Sequence, residues 1–192
     1  YIEYIKQPSN EQAETTLLIE SLKDESIACQ ILQYAAFLDP DSMSIEIFKE
    51  LLQIDEEQLQ GHIAKLEKLS LVSLNYTEDS AYLKMHRLAQ EEITKYIYSN
   101  KNQEQQQLLK PEEIQQNLIV SLNNLMPKVT YSNKQSDGKI AKLYYPHIQK
   151  IVSSSKDIVL TEKGKLYEKA GEYNRNLALD YQQSLDQHLE AL

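Results

Sequence analysis

The chain has 192 residues and a formal net charge of −9, with 41% hydrophobic and 26% charged residues, as in a folded globular protein. Residues 1–100 carry a charge of −10 and residues 101–192 a charge of +1. An acidic first half is unsuited to a nucleic-acid backbone, which binds clustered positive charge, and the apolar runs fall far short of the ~20 residues that cross a bilayer. We therefore expect neither a nucleic-acid nor a membrane partner.

The single cysteine, Cys29, excludes an internal disulfide and a cysteine-based zinc site. It lies in an apolar stretch, where a small buried thiol is expected. A reducing, cytoplasmic setting fits this composition. The chain opens on Tyr1 without a basic signal segment and stops inside a helical pattern at Leu192, so both ends look cut.

Hydrophobic spacing predicts four helices in residues 11–69. The first covers residues 11–23, and the second runs from Ile27 to Leu38, ending because Pro40 disfavours helix in the residue before it. The third is short and carries Ile47, Phe48, Leu51 and Leu52 on one stripe. Asp55 followed by Gln58 resembles a capping box that opens the last of them, through Leu59 to Leu69.

After residue 69 the spacing of apolar residues changes from the helical pattern to the alternation typical of a strand. Apolar residues alternate with polar ones in residues 72–76 and 81–85, which predicts two strands joined by a turn at 77–80. A further helix follows with a predicted buried face of Leu88, Ala89, Ile93, Tyr96 and Ile97. Three helices before a β-hairpin is the order of a winged helix, and the hairpin must pack on those helices to be stable.

The second half is predicted to be helical. Pro111 suits the first position of a helix that ends at Pro127, with Ile114, Leu118, Leu122 and Leu125 inward. A polar loop from Thr130 to Gly138 precedes a helix from Ile140 to Val152, bent at Pro146. Leu166 to Leu192 gives one or two last helices. The fold class is therefore mainly α, with one small β-hairpin.

No complete catalytic site can be assembled from the sequence. The two Gly-Lys pairs, Gly138-Lys139 and Gly164-Lys165, lack the glycine of a P-loop five residues earlier. No serine lies in a Gly-x-Ser-x-Gly turn. The histidines stand on four separate predicted elements without paired metal-ligand spacing, at His62, His86, His147 and His188. We expect neither an enzyme nor a metal protein.

Two residues allow more than one interpretation. Gly61 costs about 1 kcal/mol within a helix, and it marks either poor local optimisation or close packing against a neighbouring element. His86 falls between a strand and a helix, and it is either a structural bridge or a functional side chain. The spacing of neighbouring residues favours the structural interpretation.

Two stretches resemble the winged-helix domain of NB-ARC proteins, which are STAND-type signalling ATPases. Residues 31–41, ILQYAAFLDPD, with IEIF at 45–48, are similar to its opening, and Met85-His86-Arg87-Leu88-Ala89-Gln90-Glu91 is similar to its end. The resemblance implies that His86 contacts the phosphates of bound ADP and holds the switch closed. Arg87 stands where the best-known form of the motif has Asp.

The resemblance also implies a domain order. Residues 1–24 would end a preceding helical domain, 25–100 would be the winged helix, 101–160 a helical linker region, and 161–192 the start of a tetratricopeptide-like (TPR-like) repeat. Leu166 to Tyr173 and Ala178 to Leu185 are similar to one such repeat. The P-loop ATPase domain that would bind ADP or ATP is absent from this chain.

We expect a switch and relay: the winged helix would couple the nucleotide state of its own upstream ATPase domain to protein-binding helices. His86 and Arg87 would sense nucleotide only together with that domain, and this fragment itself would hold no cofactor. The alternative is a nucleotide-independent scaffold for protein partners. A winged-helix DNA binder is less favoured because of the charge on its third helix, the one predicted from Asp55 to Leu69. That helix would have to read DNA, yet it carries Asp55, Glu56, Glu57 and Glu67 against only Lys65 and Lys68.

Overall fold

A computed structural model describes residues 26–77, 80–99, 108–133, 135–154 and 161–190, with side chains in the last segment up to Asn176. The fold is mainly α with a small antiparallel sheet, as the sequence predicts. The chain divides after Ile114 into two compact units. In the described segments, no helix has the length and apolar character needed to cross a membrane. The helix predicted at residues 11–23 lies outside the described residues.

The first unit contains four helices and three strands among its described residues. In chain order they are α1 (Ser26–Phe37), β1 (Met43–Ser44), α2 (Ile45–Leu52), α3 (Glu56–Lys68), β2 (Val72–Tyr76), β3 (Ala81–Met85) and α4 (Arg87–Ser99). These bounds confirm the predicted helices and the predicted hairpin.

Helix α1 is the centre of this unit. Every residue from Ala28 to Phe37 except Gln30 is buried, so the helix is enclosed on nearly all sides rather than along one stripe. Cys29 is 4% exposed, as predicted, and burial raises the pKa of its thiol. A residue so enclosed acts as a small apolar side chain rather than as a reactive group.

The sheet has a third strand that the alternation pattern did not predict. β3 lies in the middle, with β2 on one side and the two-residue β1 on the other, both antiparallel to it. Met43 pairs with Leu83, and both are fully buried. Two residues are too short for a periodic signal, so β1 is defined only by its partner. Tyr76 was expected on the buried face, but it lies at the end of edge strand β2 and is 66% exposed.

The buried face of helix α4 includes Ile93 and Ile97, as predicted, and differs from the prediction in its first turn. Leu88 was expected inward but is 55% exposed, whereas Gln90 is buried together with Ile93 and Ile97. The buried face therefore follows positions 90, 93 and 97, a spacing that fits 3.6 residues per turn. Hydrophobicity favours leucine over glutamine in a core, but here the Gln90 amide is buried because it donates two hydrogen bonds to carbonyls at the end of α1.

Helix α3 begins and ends with local hydrogen bonds. The side chain of Asp55 accepts from the N–H of Gln58 at 2.8 Å, which confirms the predicted cap. At the other end Ser70 adopts a left-handed conformation with φ of 56°, and the N–H of Leu71 bonds to the carbonyl of Leu66 at 3.1 Å. A Cβ added to Gly61 meets no atom of the described residues within 4 Å, so none of them packs closely on that glycine.

The remaining helices are α5 (Pro111–Leu125), α6 (Ser136–Ser154) and α7 (Thr161–Glu190). Pro111 opens α5 as predicted, while α6 begins four residues before Ile140 and contains Pro146. The two stretches compared with a TPR-like repeat both lie on α7, a continuous helix of 30 residues. A repeat needs two helices joined by a turn, and no proline interrupts α7, so residues 166–185 do not form that pair.

Polar side chains of α7 join it to the end of α5 and to α6. The Lys169 ammonium donates to the carbonyls of Asn123 and Met126 at 2.6 and 2.9 Å. These groups belong to the C-terminal end of α5, where carbonyls lack helical partners. Towards α6, the Tyr145 and Tyr173 rings lie 5.0 Å apart between centroids. The second unit is therefore held by helix-end hydrogen bonds as well as by apolar packing.

Replacement of Gly61 with Ala should stabilise the protein by about 1 kcal/mol, because alanine has a higher helix propensity and the site has open space. Urea unfolding monitored by far-ultraviolet circular dichroism measures the change. The matched control is Ala64→Gly on the same helix, also exposed, which should destabilise by a similar amount. A loss of stability in Gly61→Ala would contradict the open environment of Gly61.

Replacement of Lys169 with Met should cost about 1–3 kcal/mol, because it removes the ammonium that donates both hydrogen bonds to the end of α5 and keeps most of the unbranched side chain. Thermal unfolding of the full chain measures the loss. Lys165→Met is the control: Lys165 is exposed, and among the described residues its ion pair is with Glu162, three residues earlier on the same helix. Equal effects of the two substitutions would show that the helix-end contacts of Lys169 contribute nothing.

Candidate functional site

His86 lies between β3 and α4 and is exposed. Its carbonyl accepts the first helical hydrogen bond, from the N–H of Gln90 at 3.0 Å. Its ring Nδ1 accepts from the N–H of Leu88 at 3.4 Å, a long hydrogen bond of the kind made by a helix-capping side chain. The ring therefore caps α4, which supports the structural interpretation of this histidine.

The capping bond uses Nδ1 as an acceptor, so Nε2 is the ring nitrogen left to act as a donor. A neutral ring that accepts a hydrogen bond at Nδ1 carries its proton on Nε2. Among the described residues no group forms a hydrogen bond with Nε2. The capping role thus leaves His86 with one N–H available to an external acceptor, so the structural and functional interpretations are compatible.

Arg87, the residue after His86, pairs with Asp41. The Nη2 atom of Arg87 lies 3.0 Å from Oδ2 of Asp41, across 46 positions of sequence. The loop of Asp41 is fixed by two further bonds: its N–H donates to the Asp39 carboxylate at 3.2 Å, and the Pro40 carbonyl accepts from the N–H of Met85 at 3.0 Å. The ends of α1 and β3 therefore meet at the start of α4.

A groove of about 550 Å³ lies beside the corner formed by Asp41, His86 and Arg87. It runs along the end of α3, the beginning of β2 and the end of β3. Its lining residues are Asp41, Glu67, Ser70, Leu71, Val72, Ser73, Lys84, Met85 and His86. The Glu67 carboxylate accepts from the N–H of Leu74 at 2.6 Å, which covers an outward-facing group of edge strand β2. His86 and Asp41 thus face the same open space.

Gln90 fixes α4 against the end of α1. Its Nε2 donates to the carbonyls of Ala35 and Leu38 at 2.9 and 2.6 Å, and the side chain is buried. The hydroxyl of Thr94, one turn later, donates to the carbonyl of Gln90 at 2.8 Å. Gln90 belongs to the stretch that resembles the end of the NB-ARC winged helix, but its structural role was not predicted. Its helical phase with Ile93 and Ile97 is the signal that could have found it.

The other candidate groups do not form a second site. Within the described ranges, no three His, Cys, Asp or Glu side chains are arranged to hold a metal ion. His62 lies on α3 of the first unit, and His147 is fully buried on α6 of the second. The side chain of His188 lies outside the described residues.

Replacement of Gln90 with Leu should cost about 1–3 kcal/mol, because a side chain of similar size loses both hydrogen bonds to the end of α1. Urea unfolding measures the loss. Gln60→Leu, at an exposed position of α3, is the control and should change the unfolding free energy by less than about 0.5 kcal/mol. A Gln90→Leu protein as stable as the unsubstituted one would refute the bridging role of Gln90.

Comparison with known proteins adds no family assignment. No family model matches the sequence, and no curated protein is found to be similar to it. The likeness to the NB-ARC winged helix remains a prediction that rests on the two motif stretches. The function must be argued from the corner formed by Asp41, His86 and Arg87.

Proposed function

We propose that this chain is the switch-and-relay part of a cytoplasmic STAND-type signalling ATPase. In the resting state its winged helix docks on an upstream ATPase domain, and His86 donates a hydrogen bond to the phosphates of ADP. Exchange for ATP releases the winged helix, which moves as a rigid body and carries the helices that follow. Those helices bind protein partners. The chain supplies no catalytic group.

The observation that carries the proposal is the exposed His86 ring, whose Nδ1 accepts the capping hydrogen bond and whose Nε2 is left for another partner. A phosphate oxygen is an acceptor, so a histidine that serves it needs a donor facing outward. The cap on Nδ1 fixes the ring on the first turn of a helix, and the positive end of a helix favours a nearby anion. The donor on the ring and the positive end of the helix thus both favour an anionic acceptor such as phosphate.

The surroundings of His86 support docking against another domain. Leu88, on the first turn of α4, is 55% exposed, and His86, two residues earlier, lines the groove of about 550 Å³. Exposed apolar side chains next to concave surface are typical of interaction sites. Rigid-body movement is supported by the buried contacts of α1 with α4, through Gln90.

The test uses the encoded protein, in which we expect a P-loop domain before residue 1, and compares His86→Asn with His86→Gln. Asparagine can keep the cap on α4 but has no donor at the position of Nε2. We expect His86→Asn to fold with nearly unchanged stability and to release ADP roughly 10- to 100-fold faster, as for the loss of a hydrogen bond to a charged group. Stopped-flow fluorescence of a labelled ADP gives the rate.

His86→Gln should have the opposite effect: it weakens the cap on α4 but keeps a donor near the position of Nε2. Its amide nitrogen extends towards the position of Nε2, but it is a poor cap. It should therefore lower the stability by about 1 kcal/mol and retain ADP better than His86→Asn. Unchanged ADP release in His86→Asn, or an encoded protein without a P-loop, would refute the proposed function.

The second candidate is a nucleotide-independent protein scaffold. It is favoured by exposed apolar side chains on the helices of the second unit, at Ile140, Leu143 and Tyr167. A scaffold would bind its partner equally well in the ADP and ATP states. A DNA binder is less favoured, because Glu56, Glu57 and Glu67 are exposed on α3.

A further inference from the structure

A cavity of about 280 Å³ lies in the second unit, between the end of α5 and the first half of α7. Asparagine side chains from the end of α5 form part of its lining. Charged groups of both signs form most of the rest, in equal numbers: the carboxylates of Glu162, Glu168 and Glu172, and the ammonium groups of Lys128, Lys165 and Lys169. The cavity is separate from the His86 corner, so its ligand must be argued from these groups.

Asn123 contributes to this cavity an acceptor oxygen that has no partner. The residue is 5% exposed, and its Nδ2 atom donates to the carbonyl and to the Oε2 atom of Glu162 at 3.1 and 2.6 Å. An ionised carboxylate accepts but does not donate, so the amide nitrogen must face Glu162 and Oδ1 must face the other way. In the described part of the chain, no group donates to this Oδ1. A buried acceptor of this kind needs a donor from outside the chain.

Glu172 adds a second buried acceptor without a partner to the lining. Its Oε1 atom lies 3.3 Å from the ammonium of Lys128, whereas its Oε2 atom is buried and receives no hydrogen bond from the described residues. A carboxylate oxygen forms its strongest hydrogen bonds with charged donors. The two unpartnered atoms therefore both call for a donor, and the one on Glu172 favours a cationic donor.

The lysines of the lining already have acceptors of their own. Lys128 and Lys165 each pair with a glutamate of the lining. Lys169 donates to main-chain carbonyls at the end of α5, which is the negative end of that helix. Glu168 forms no ion pair with any group that the structure describes. The formal charges balance, but the groups left without a partner are a carboxylate and two acceptor oxygens.

We infer that this cavity binds the primary ammonium group of a small organic amine, with Oε2 of Glu172 as the acceptor that meets its charge. Oδ1 of Asn123 accepts a further hydrogen bond, from the ligand or from water bound beside it. An ammonium suits this lining because it has three donors and no acceptor. A water takes about 30 Å³ in the liquid, so the cavity has room for a short alkyl stem as well.

The test titrates the isotope-labelled full chain with n-butylammonium at neutral pH and constant ionic strength. Nuclear magnetic resonance of the Asn123 side-chain amide reports on the site directly. A ligand of this size is limited to a Kd on the order of 1–10 mM. The neutral analogue n-butanol should bind at least about fivefold more weakly, because its hydrogen bonds are not charge-assisted. The anion n-butyrate should not bind.

Two substitutions in the lining should change the affinity in opposite directions. Glu172→Gln keeps the shape of the side chain but removes its charge, and it should weaken n-butylammonium binding about fivefold. Lys128→Met removes the cation that competes for Glu172, and it should tighten binding about two- to fivefold. The controls are Glu113→Gln and Lys139→Met, which remove the same charges at exposed positions outside the lining and should leave the Kd unchanged. Circular dichroism verifies that each variant is folded.

Opposite changes of affinity in Glu172→Gln and Lys128→Met would support the amine site. Equal affinities for n-butylammonium and n-butanol would show a cavity that accepts any neutral donor, and an affinity unchanged in Glu172→Gln would place the amine elsewhere. Shifts that do not saturate at roughly ten times the expected Kd would leave the cavity to ordered water. Each of these three results would overturn the amine site, and none of them bears on the proposed role of His86.

Discussion

The packing of α4 against the end of α1 depends on the buried amide of Gln90. Gln90 donates from the first turns of α4 to the carbonyls of Ala35 and Leu38, where α1 ends. Polar groups at a buried helix end need partners, and here they receive them from another helix instead of from water. The same contact sets the rotation of α4, which turns Ile93 and Ile97 into the core and leaves Leu88 at the surface.

That rotation also determines what the candidate site can do. With Gln90 inward, His86 caps the helix and faces solvent, while Arg87 reaches the loop that follows α1. The Pro40 carbonyl and the N–H of Met85 hold that loop against β3. A switch residue in this position would be coupled to the core through main-chain bonds, so docking and release would involve the whole unit rather than a flexible side chain.

Much of the fold could be predicted because it rests on local rules. The spacing of apolar residues and the positions of prolines and capping residues located α1 to α4, the β2–β3 hairpin and the start of α5 at Pro111. The cap at Asp55 followed from its spacing to Gln58. The errors came where a local pattern competes with tertiary packing. Tyr76 ends an edge strand, and α7 continues through a stretch that was compared with a helix pair.

The sequence by itself determined the mainly helical class, the approximate bounds of α1 to α4, and the position of His86 between a strand and a helix. Only the tertiary structure decided that Asp41 pairs with Arg87, that β1 adds to the sheet, and that Gln90 rather than Leu88 is buried. The reason is physical: periodicity reports on neighbours within a few residues. A carboxylate 46 positions away, or an amide that replaces an apolar side chain in the core, is selected by the geometry of packed elements.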